Sequence, residues 1–409
     1  MLAWASLLAC SVTAGATIVG LLVAPSGWQT GFAILSVIAL VVTVHSFTLL
    51  ITEVPTGQTA VLALLFILAG LSGGFWVAAA SLVGRQSRRR AAHSTSTPCV
   101  GPSRRAVVVL SNAEPERYDY AATARRLTRL VHSGALTLPA SAVPFVFLSE
   151  KARYHALRDF HPGRATARVI AEAVESHLRA SGDADTVVVA WCDGDPSLSE
   201  QVHSLAAAGY TEIVLAHLGQ DGSYLFTEAA SELADAHMSH VRIGTAPSIW
   251  ISDPLARRAC QRVLNVTRNA DPATVGVALL GEGQPPEWES LSREWHETEA
   301  YFTQRVRLML AEHGIDERNV RLGWVEWQTP DITEVVRHLA ATGCTTIVLA
   351  PVTIPVATLA TALDFPRAID SARLGPDVLT ITLTPWGDDP ALIQALVTAI
   401  KQTLSDKTD

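Results

Sequence analysis

The sequence predicts three membrane-spanning helices followed by an α/β domain made of two similar parallel-sheet halves, and three observations predict it. The first 84 of the 409 residues contain one charged side chain, Glu53, although Asp, Glu, Lys and Arg make up 17% of the chain. Short β-rich runs then alternate with longer helical patterns, the mark of parallel strands joined by crossover helices. Finally, the segment 205–216 recurs, partly altered, at 339–350, an offset of 134.

A helix needs roughly 20 apolar residues to cross a hydrocarbon layer about 30 Å thick. Residues 3–24, 31–52 and 61–83 supply three such runs. The connections Pro25-Ser26-Gly27 and Glu53-Val54-Pro55-Thr56-Gly57 are turn segments. No Lys or Arg precedes the first run and two spans follow it closely, so it does not read as a cleavable signal peptide. The apolar part is too short for a polytopic transporter, and the rest is too well patterned for disorder. His45, inside the second span, fits either a proton or metal path or a hydrogen bond to a neighbouring helix.

Arg85, Arg88, Arg89 and Arg90 follow the third span, and Arg104 and Arg105 close a Ser/Thr/Pro linker, 85–105, that has no acid. The positive-inside bias puts this end in the cytoplasm and the amino terminus outside, with membrane lipid as the partner of the linker arginines. Residues 85–105 carry +6 and the spans −1, so a net charge of −8 leaves −13 to residues 106–409. That balance argues against nucleic acid as a partner, because phosphate binding draws on clustered cations. Cys10, Cys99, Cys192, Cys260 and Cys344 are scattered, which excludes a disulfide-stapled module and gives no zinc-ribbon or iron–sulfur spacing.

Strands are expected at 107–110, 186–191, 213–216, 275–280, 322–325 and 347–350. Trp295, Phe302, Val306 and Met309 share one face of a helix that Gly314 can end. The repeat joins Leu205-Ala206-Ala207-Ala208-Gly209-Tyr210-Thr211 to Leu339-Ala340-Ala341-Thr342-Gly343-Cys344-Thr345. Pro196 and Pro330 keep the same offset, and Trp191 and Trp324 each end a strand. The openings match as well, Val108-Val109-Leu110-Ser111-Asn112-Ala113-Glu114-Pro115 against Ala278-Leu279-Leu280-Gly281-Glu282-Gly283-Gln284-Pro285. This gives two Rossmann-like halves, 106–265 and 266–409, after the anchor at 1–84. Ligands of such sheets bind beyond the carboxyl ends of the strands, which brings Asn112, Glu282 and the segment 351–366 forward.

These residues resemble the chelatase superfamily, ferrochelatase most of all, with the sirohydrochlorin and cobalt chelatases as near relatives. Leu280-Gly281-Glu282-Gly283-Gln284-Pro285 resembles the ferrochelatase loop whose catalytic histidine stands where this chain has Glu282. Gly323-Trp324-Val325-Glu326-Trp327-Gln328-Thr329-Pro330 is similar to the strand and loop that follow, and Ile347-Val348-Leu349-Ala350-Pro351-Val352-Thr353-Ile354 through Asp364 to the closing signature. In the first half, the stretch from Tyr154-His155-Ala156-Leu157 to a helix ending near Leu178, and Trp250-Ile251-Ser252-Asp253-Pro254, are similar to family segments. The family's acid or histidine four residues before Asp364 is Ala360 here, and Asn112 is a tyrosine in some ferrochelatases. The resemblance implies Fe²⁺ insertion into a porphyrin for haem biosynthesis, with Fe²⁺ as substrate, no other cofactor and no iron–sulfur cluster. Cobalt or nickel insertion into a sirohydrochlorin-type ring, or a non-catalytic protein that binds a tetrapyrrole or metal, are the alternatives.

Inserting a metal ion removes two pyrrole N–H protons and needs a base in a dry cleft. A glutamate can replace histidine there if burial raises its pKa from about 4.3 toward neutrality, and its oxygens accept Fe²⁺ as a ligand. Glu282 is the expected base and metal ligand, set between Gly281 and Gly283, which let a flat ring approach. The other reading makes it a solvated turn residue. Asp364 is the second catalytic candidate, or else a helix N-cap ahead of Pro366. Asn112, Gly281, Gly283, Trp324 and Glu326 are the expected porphyrin-binding residues, with Gln328 facing the cleft. Of Trp288, Trp295, Trp324 and Trp327, most are expected in the core. His217, at the strand end equivalent to Pro351, is a ligand or a hydrogen-bonded scaffold residue.

Overall fold

The computed structural model describes residues 2–53, 56–84, 104–219, 223–234, 241–289 and 293–405. Most of the predicted linker, with Arg85, Arg88, Arg89, Arg90 and Cys99, lies outside the described residues. The chain divides into two compact units, Met1–Arg90 with Arg117–Phe160, and Ala91–Glu116 with His161–Asp409.

The first unit holds the helices α1 (Leu2–Val23), α2 (Ser26–Glu53) and α3 (Gly57–Gly84). All three are long and apolar enough to cross a membrane. A β-carbon at Gly15 would stand 2.2 Å from the Leu71 carbonyl oxygen, and one at Gly74 would stand 2.0 Å from that of Val12. These glycines let α1 and α3 run side by side, backbone against backbone, as small residues do where apolar helices meet. His45 is exposed on α2, and among the described residues no hydrogen bond ties it to another helix.

Two further helices complete this unit, α4 (Tyr120–His132), capped by the Asp119 carboxylate, and α5 (Val143–Ala156). Ala124, Leu127, Val143 and Phe147 from this pair pack with Val19, Val23 and Ala79 of the apolar helices. The sequence range 106–265 thus spans both this pair and strands of the other unit.

In the second unit β1 (Arg105–Ser111), β2 (Thr186–Trp191), β3 (Glu212–His217) and β4 (Arg242–Thr245) form a parallel sheet in the order β2-β1-β3-β4. The strands β5 (Val275–Gly281), β6 (Val320–Trp324), β7 (Thr346–Pro351) and β8 (Leu379–Thr382) repeat it as β6-β5-β7-β8. The connecting helices are α6 (Gly163–Ser181), α7 (Leu198–Ala207), α8 (Tyr224–Ala234), α9 (Asp253–Thr267), α10 (Pro286–Glu289), α11 (Arg293–Glu312), α12 (Ile332–Ala341), α13 (Leu359–Ala372) and α14 (Pro390–Ser405). All the strands expected from the sequence are present, with ends close to those expected.

The duplication extends to individual hydrogen bonds. Trp191 pairs with Ser111 and Trp324 with Gly281, and the two tryptophan amides donate to Pro196 O and Pro330 O, both at 3.0 Å. Each proline follows a cis peptide bond, and Ser197–Glu200 and Asp331–Glu334 form matching capping boxes on α7 and α12. The indoles of Trp250 and Trp386 donate to Gly219 O and Val352 O, both at 2.8 Å.

Alternate residues of β1 serve different layers, as the two-residue period of a strand requires. Val107 and Val109 enter a core that both halves share with α6, α9, α11 and α14, while Val108 and Leu110 pack on the α7 side. Trp295, Phe302 and Val306 are buried on α11 and Met309 packs beside them. Gly314, at φ +89°, turns the chain just after the end of that helix.

Candidate functional site

The first residues beyond β1 and β5 meet. Asn112 Nδ2 donates to both carboxylate oxygens of Glu282, at 2.8 and 2.7 Å. Two more links tie the halves at the same strand ends: the Glu114 carboxylate accepts the Leu359 amide at 3.2 and 3.3 Å, and the Tyr224 amide donates to Gln284 Oε1 at 3.3 Å. The first of these sets an anion on the N-terminus of α13, where free backbone N–H groups and the helix dipole favour negative charge.

Glu282 as a whole is half-buried, but its carboxyl group is shielded from water. Desolvation lifts its pKa from 4.5 to about 7; the Asn112 hydrogen bond pulls against this and the charge of Glu326 adds to it. Burial and the bridge to Asn112 thus set Glu282 apart from a freely solvated carboxylate.

The loop around it is laced to its neighbour. The amide of Glu326 donates to Glu282 O at 3.0 Å, and the Gln328 side chain donates to Gln284 O at 2.8 Å and to Glu289 Oε1 at 3.0 Å. Between these anchors the Gln328 amide closes on Glu326 O at 2.8 Å around Trp327, whose φ is +66°. This is a tight γ-turn, a strained conformation for a bulky residue. Trp327 is 42% exposed, and among the described residues no ring or cation stacks on it.

The protein's own packing already requires both flanking glycines. A β-carbon at Gly281 would lie 2.6 Å from Glu299 Oε1 and 2.7 Å from the Trp324 ring. One at Gly283, whose φ is +85°, would lie 2.0 Å from Glu326 O. Trp324 is buried, its ring 5.3 Å from that of Trp295, so it belongs to the core. Trp288 and Trp295 are buried too, the former stacked on Tyr224 at 4.5 Å, which leaves Trp327 as the exposed member of the four.

Asp364 lies in the second turn of α13. That helix starts at Leu359 behind a Thr358 cap and carries Pro366 inside, so Asp364 is no N-cap. Its carboxylate takes an ion pair with Arg367 at 3.3 Å, and the charge that acts on Glu282 comes from Glu326 instead. Ala360 is buried in the first turn of the same helix.

Three further polar groups lie by the site, Glu299 and Arg164 from outside the expected set and His217 from within it. Glu299, 1% exposed, accepts from Thr353 Oγ1 at 2.7 Å, and burial lifts its pKa to about 8. The sequence carries a signal for it: position 299 falls four after Trp295 and three before Phe302, an acid on the apolar stripe of α11. Arg164, also buried, donates to Ala113 O at 3.2 Å with its guanidinium 4.6 Å over the Trp191 ring. His217, buried at the end of β3, and Asn112 both lie against Gly219: a β-carbon there would stand 3.3 Å from His217 Nε2 and 3.5 Å from Asn112 Oδ1.

Among the described residues no three of His, Cys, Asp and Glu gather closely enough to hold a metal ion. The arrangement is a buried carboxyl group, Glu282, whose pKa is raised to about 7, with a second carboxylate, Glu326, and an imidazole, His217, near an amide that bridges the halves.

Residues 291–403 match the family model described as CbiX. No curated protein matches the chain. Among solved structures the chain is similar to SirB from Bacillus subtilis with Fe³⁺, at 13% identity over 74% of this chain and 96% of that one, with a TM-score of 0.47. It is similar to the sirohydrochlorin chelatase SirB from B. subtilis subspecies spizizenii in complex with cobalt, at 12% identity over 74% and 97%, with a TM-score of 0.43. A multi-domain protein from Deinococcus radiodurans with structural similarity to chelatases is 15% identical over 75% of this chain and 56% of that one, with a TM-score of 0.46.

Proposed function

We propose that this chain, which belongs to the chelatase superfamily by the CbiX pattern of residues 291–403, inserts a divalent metal ion into a tetrapyrrole ring at the Asn112–Glu282 junction. The observation that carries the reading is the junction of Asn112 with Glu282 at the carboxyl ends of two paired parallel sheets, where burial raises the Glu282 pKa to about 7. Ionised Glu282 takes one pyrrole proton and the His217 imidazole the other. The oxygens of Glu282 and Glu326 hold the incoming metal loosely, as substrate, since carboxylate oxygen binds Fe²⁺ or Co²⁺ less firmly than imidazole or thiolate does.

The CbiX pattern favours a sirohydrochlorin-type ring. The three apolar helices favour a porphyrin, which partitions to a bilayer surface, and Fe²⁺ insertion for haem synthesis. In this reading the helices cross the membrane with the amino terminus outside and the α/β unit in the cytoplasm, the orientation that the arginines after α3 support.

The test is the full-length protein mixed anaerobically with Fe²⁺ or Co²⁺ and each ring in turn, following the absorption change on metal insertion. Turnover is expected with at least one pair, and Glu282→Gln is expected to lower it roughly 100-fold or more while the ring still binds. Ring binding without turnover in the unaltered protein overturns the enzyme reading and leaves a tetrapyrrole-binding protein. Unchanged turnover in Glu282→Gln removes this residue from the mechanism.

A further inference from the structure

Resting on the reading of α1–α3 as membrane spans, we propose that the α4–α5 hairpin is a second membrane-contacting element. It lies in the headgroup layer of the bilayer, with Phe145 and Leu148 turned into the acyl chains and its basic side chains toward anionic headgroups.

Length is the first argument. Each of α2 and α3 has 28 residues, about 42 Å of helix at 1.5 Å per residue, against a hydrocarbon layer about 30 Å thick. An upright helix of this length leaves about 12 Å outside that layer. The hairpin covers this excess on α3: the Phe145 ring lies 6.4 Å from that of Phe75, nine residues before the end of α3, or about 14 Å down the helix.

The hairpin is also fixed to the end of α1. Tyr118 Oη donates to Val23 O at 2.7 Å and Lys151 Nζ to Ala24 O at 2.9 Å. These are carbonyls at the last turn of α1, the positions that a helix leaves without a partner of its own. Val143, Phe147 and Tyr154 of α5 face inward and are buried. Phe145 and Leu148, three apart, face outward at 56% and 39% exposure. Their apolar surface is continuous with that of the spans, where Trp28 in the first turn of α2 and Trp76 beside Phe75 are also exposed, as in the aromatic belts of membrane proteins.

Charge selects the same occupant. Residues 117–160 contain seven Lys and Arg and three Asp and Glu, a net +4, whereas the rest of 106–409 carries −17. The insert that packs against the apolar helices thus carries net positive charge in an otherwise acidic domain, shortly after a linker of +6. Exposed aromatic and aliphatic side chains flanked by cations are the makeup of interfacial helices on anionic bilayers.

The test is photo-cross-linking of the full-length chain in vesicles of phosphatidylcholine with a minority of phosphatidylglycerol. A benzophenone amino acid replaces Phe145, Leu148 or, as a span control, the exposed Val41 of α2. Lipid adducts at all three positions are the expected result. Adducts at 41 with none at 145 and 148, or adducts from 145 and 148 to a second protein chain, overturn the interfacial hairpin and leave the spans standing. Absence of lipid adducts at 41 overturns the span reading and the hairpin with it.

Discussion

Asn112 and Glu282 occupy the same place in the two halves, one residue beyond the end of the first strand, and the amide of the one chelates the carboxylate of the other at 2.8 and 2.7 Å. The duplication has therefore diverged into a donor and an acceptor at its meeting point. A carboxyl group with this partner is held between opposing influences: burial disfavours its charge, and the amide favours it.

Substitutions on either side of that balance are expected to move the pH profile in opposite directions. Asn112→Ala removes the donor that stabilises the ion, so the acid limb of kcat/KM moves alkaline from about 7, by roughly one unit for a charge-assisted hydrogen bond. Glu326→Gln removes a like charge, so the limb moves by a smaller step toward acid. Shifts of the same sign in both variants, read from initial rates across pH, would contradict Glu282 as the titrating base.

The longer strands, the duplication and the equivalence of Asn112 with Glu282 are legible in the sequence, because β-rich runs and repeated motifs report on local structure and on correspondence between halves. The short edge strands β4 and β8, four residues each, are not: Arg242-Ile243-Gly244-Thr245 has neither a long apolar run nor clean alternation. Pro366 resembles a first-turn proline and so suggests a helix start at Asp364, whereas the Thr358–Thr361 capping box begins the helix six residues earlier. The roles of Gly281 and Gly283 are hidden because the atoms that need their space, on Glu299, Trp324 and Glu326, come from distant segments. The association of 117–160 with the apolar helices is likewise a matter of tertiary packing that no period in the sequence displays.

Glu299 makes the fold sensitive to pH. Its pKa stands raised from 4.5 to about 8 by burial, against the Thr353 hydrogen bond that lowers it and with the charge of Glu282 adding to the rise. A raised folded value means that its stabilising influence is complete below the unfolded pKa and is lost as pH rises through the folded one. Stability should therefore fall as pH rises from about 4.5 to about 8, by an amount on the order of a few kcal/mol. Glu299→Gln, neutral and of the same shape, is expected to flatten that fall and to exceed the unaltered protein in Tm at the upper end of this range. Parallel Tm curves for the two proteins would show that the buried acid carries no such shift.

Trp327 offers a test that separates backbone from side chain. Its φ of +66° suits glycine and strains any other residue, by about 1 kcal/mol or more, and the turn is held by the Glu326 and Gln328 contacts on either side. The strained turn presents a 42% exposed indole next to Glu326, whose charge acts on Glu282. Trp327→Gly and Trp327→Ala both remove the ring, but only glycine also relieves the backbone. The glycine variant is expected to be the more stable of the two by about 1 kcal/mol, read as a higher Tm. If the indole stacks on the bound macrocycle, both variants should bind the ring roughly three- to tenfold more weakly than the unaltered protein, since an aromatic pair is worth about 0.5–1.5 kcal/mol. Equal Tm values for the two variants would remove the strain argument. Ring affinity unchanged in both, measured by fluorescence titration at equilibrium, would make Trp327 a surface residue with no part in binding, and would leave the roles of Asn112 and Glu282 untouched.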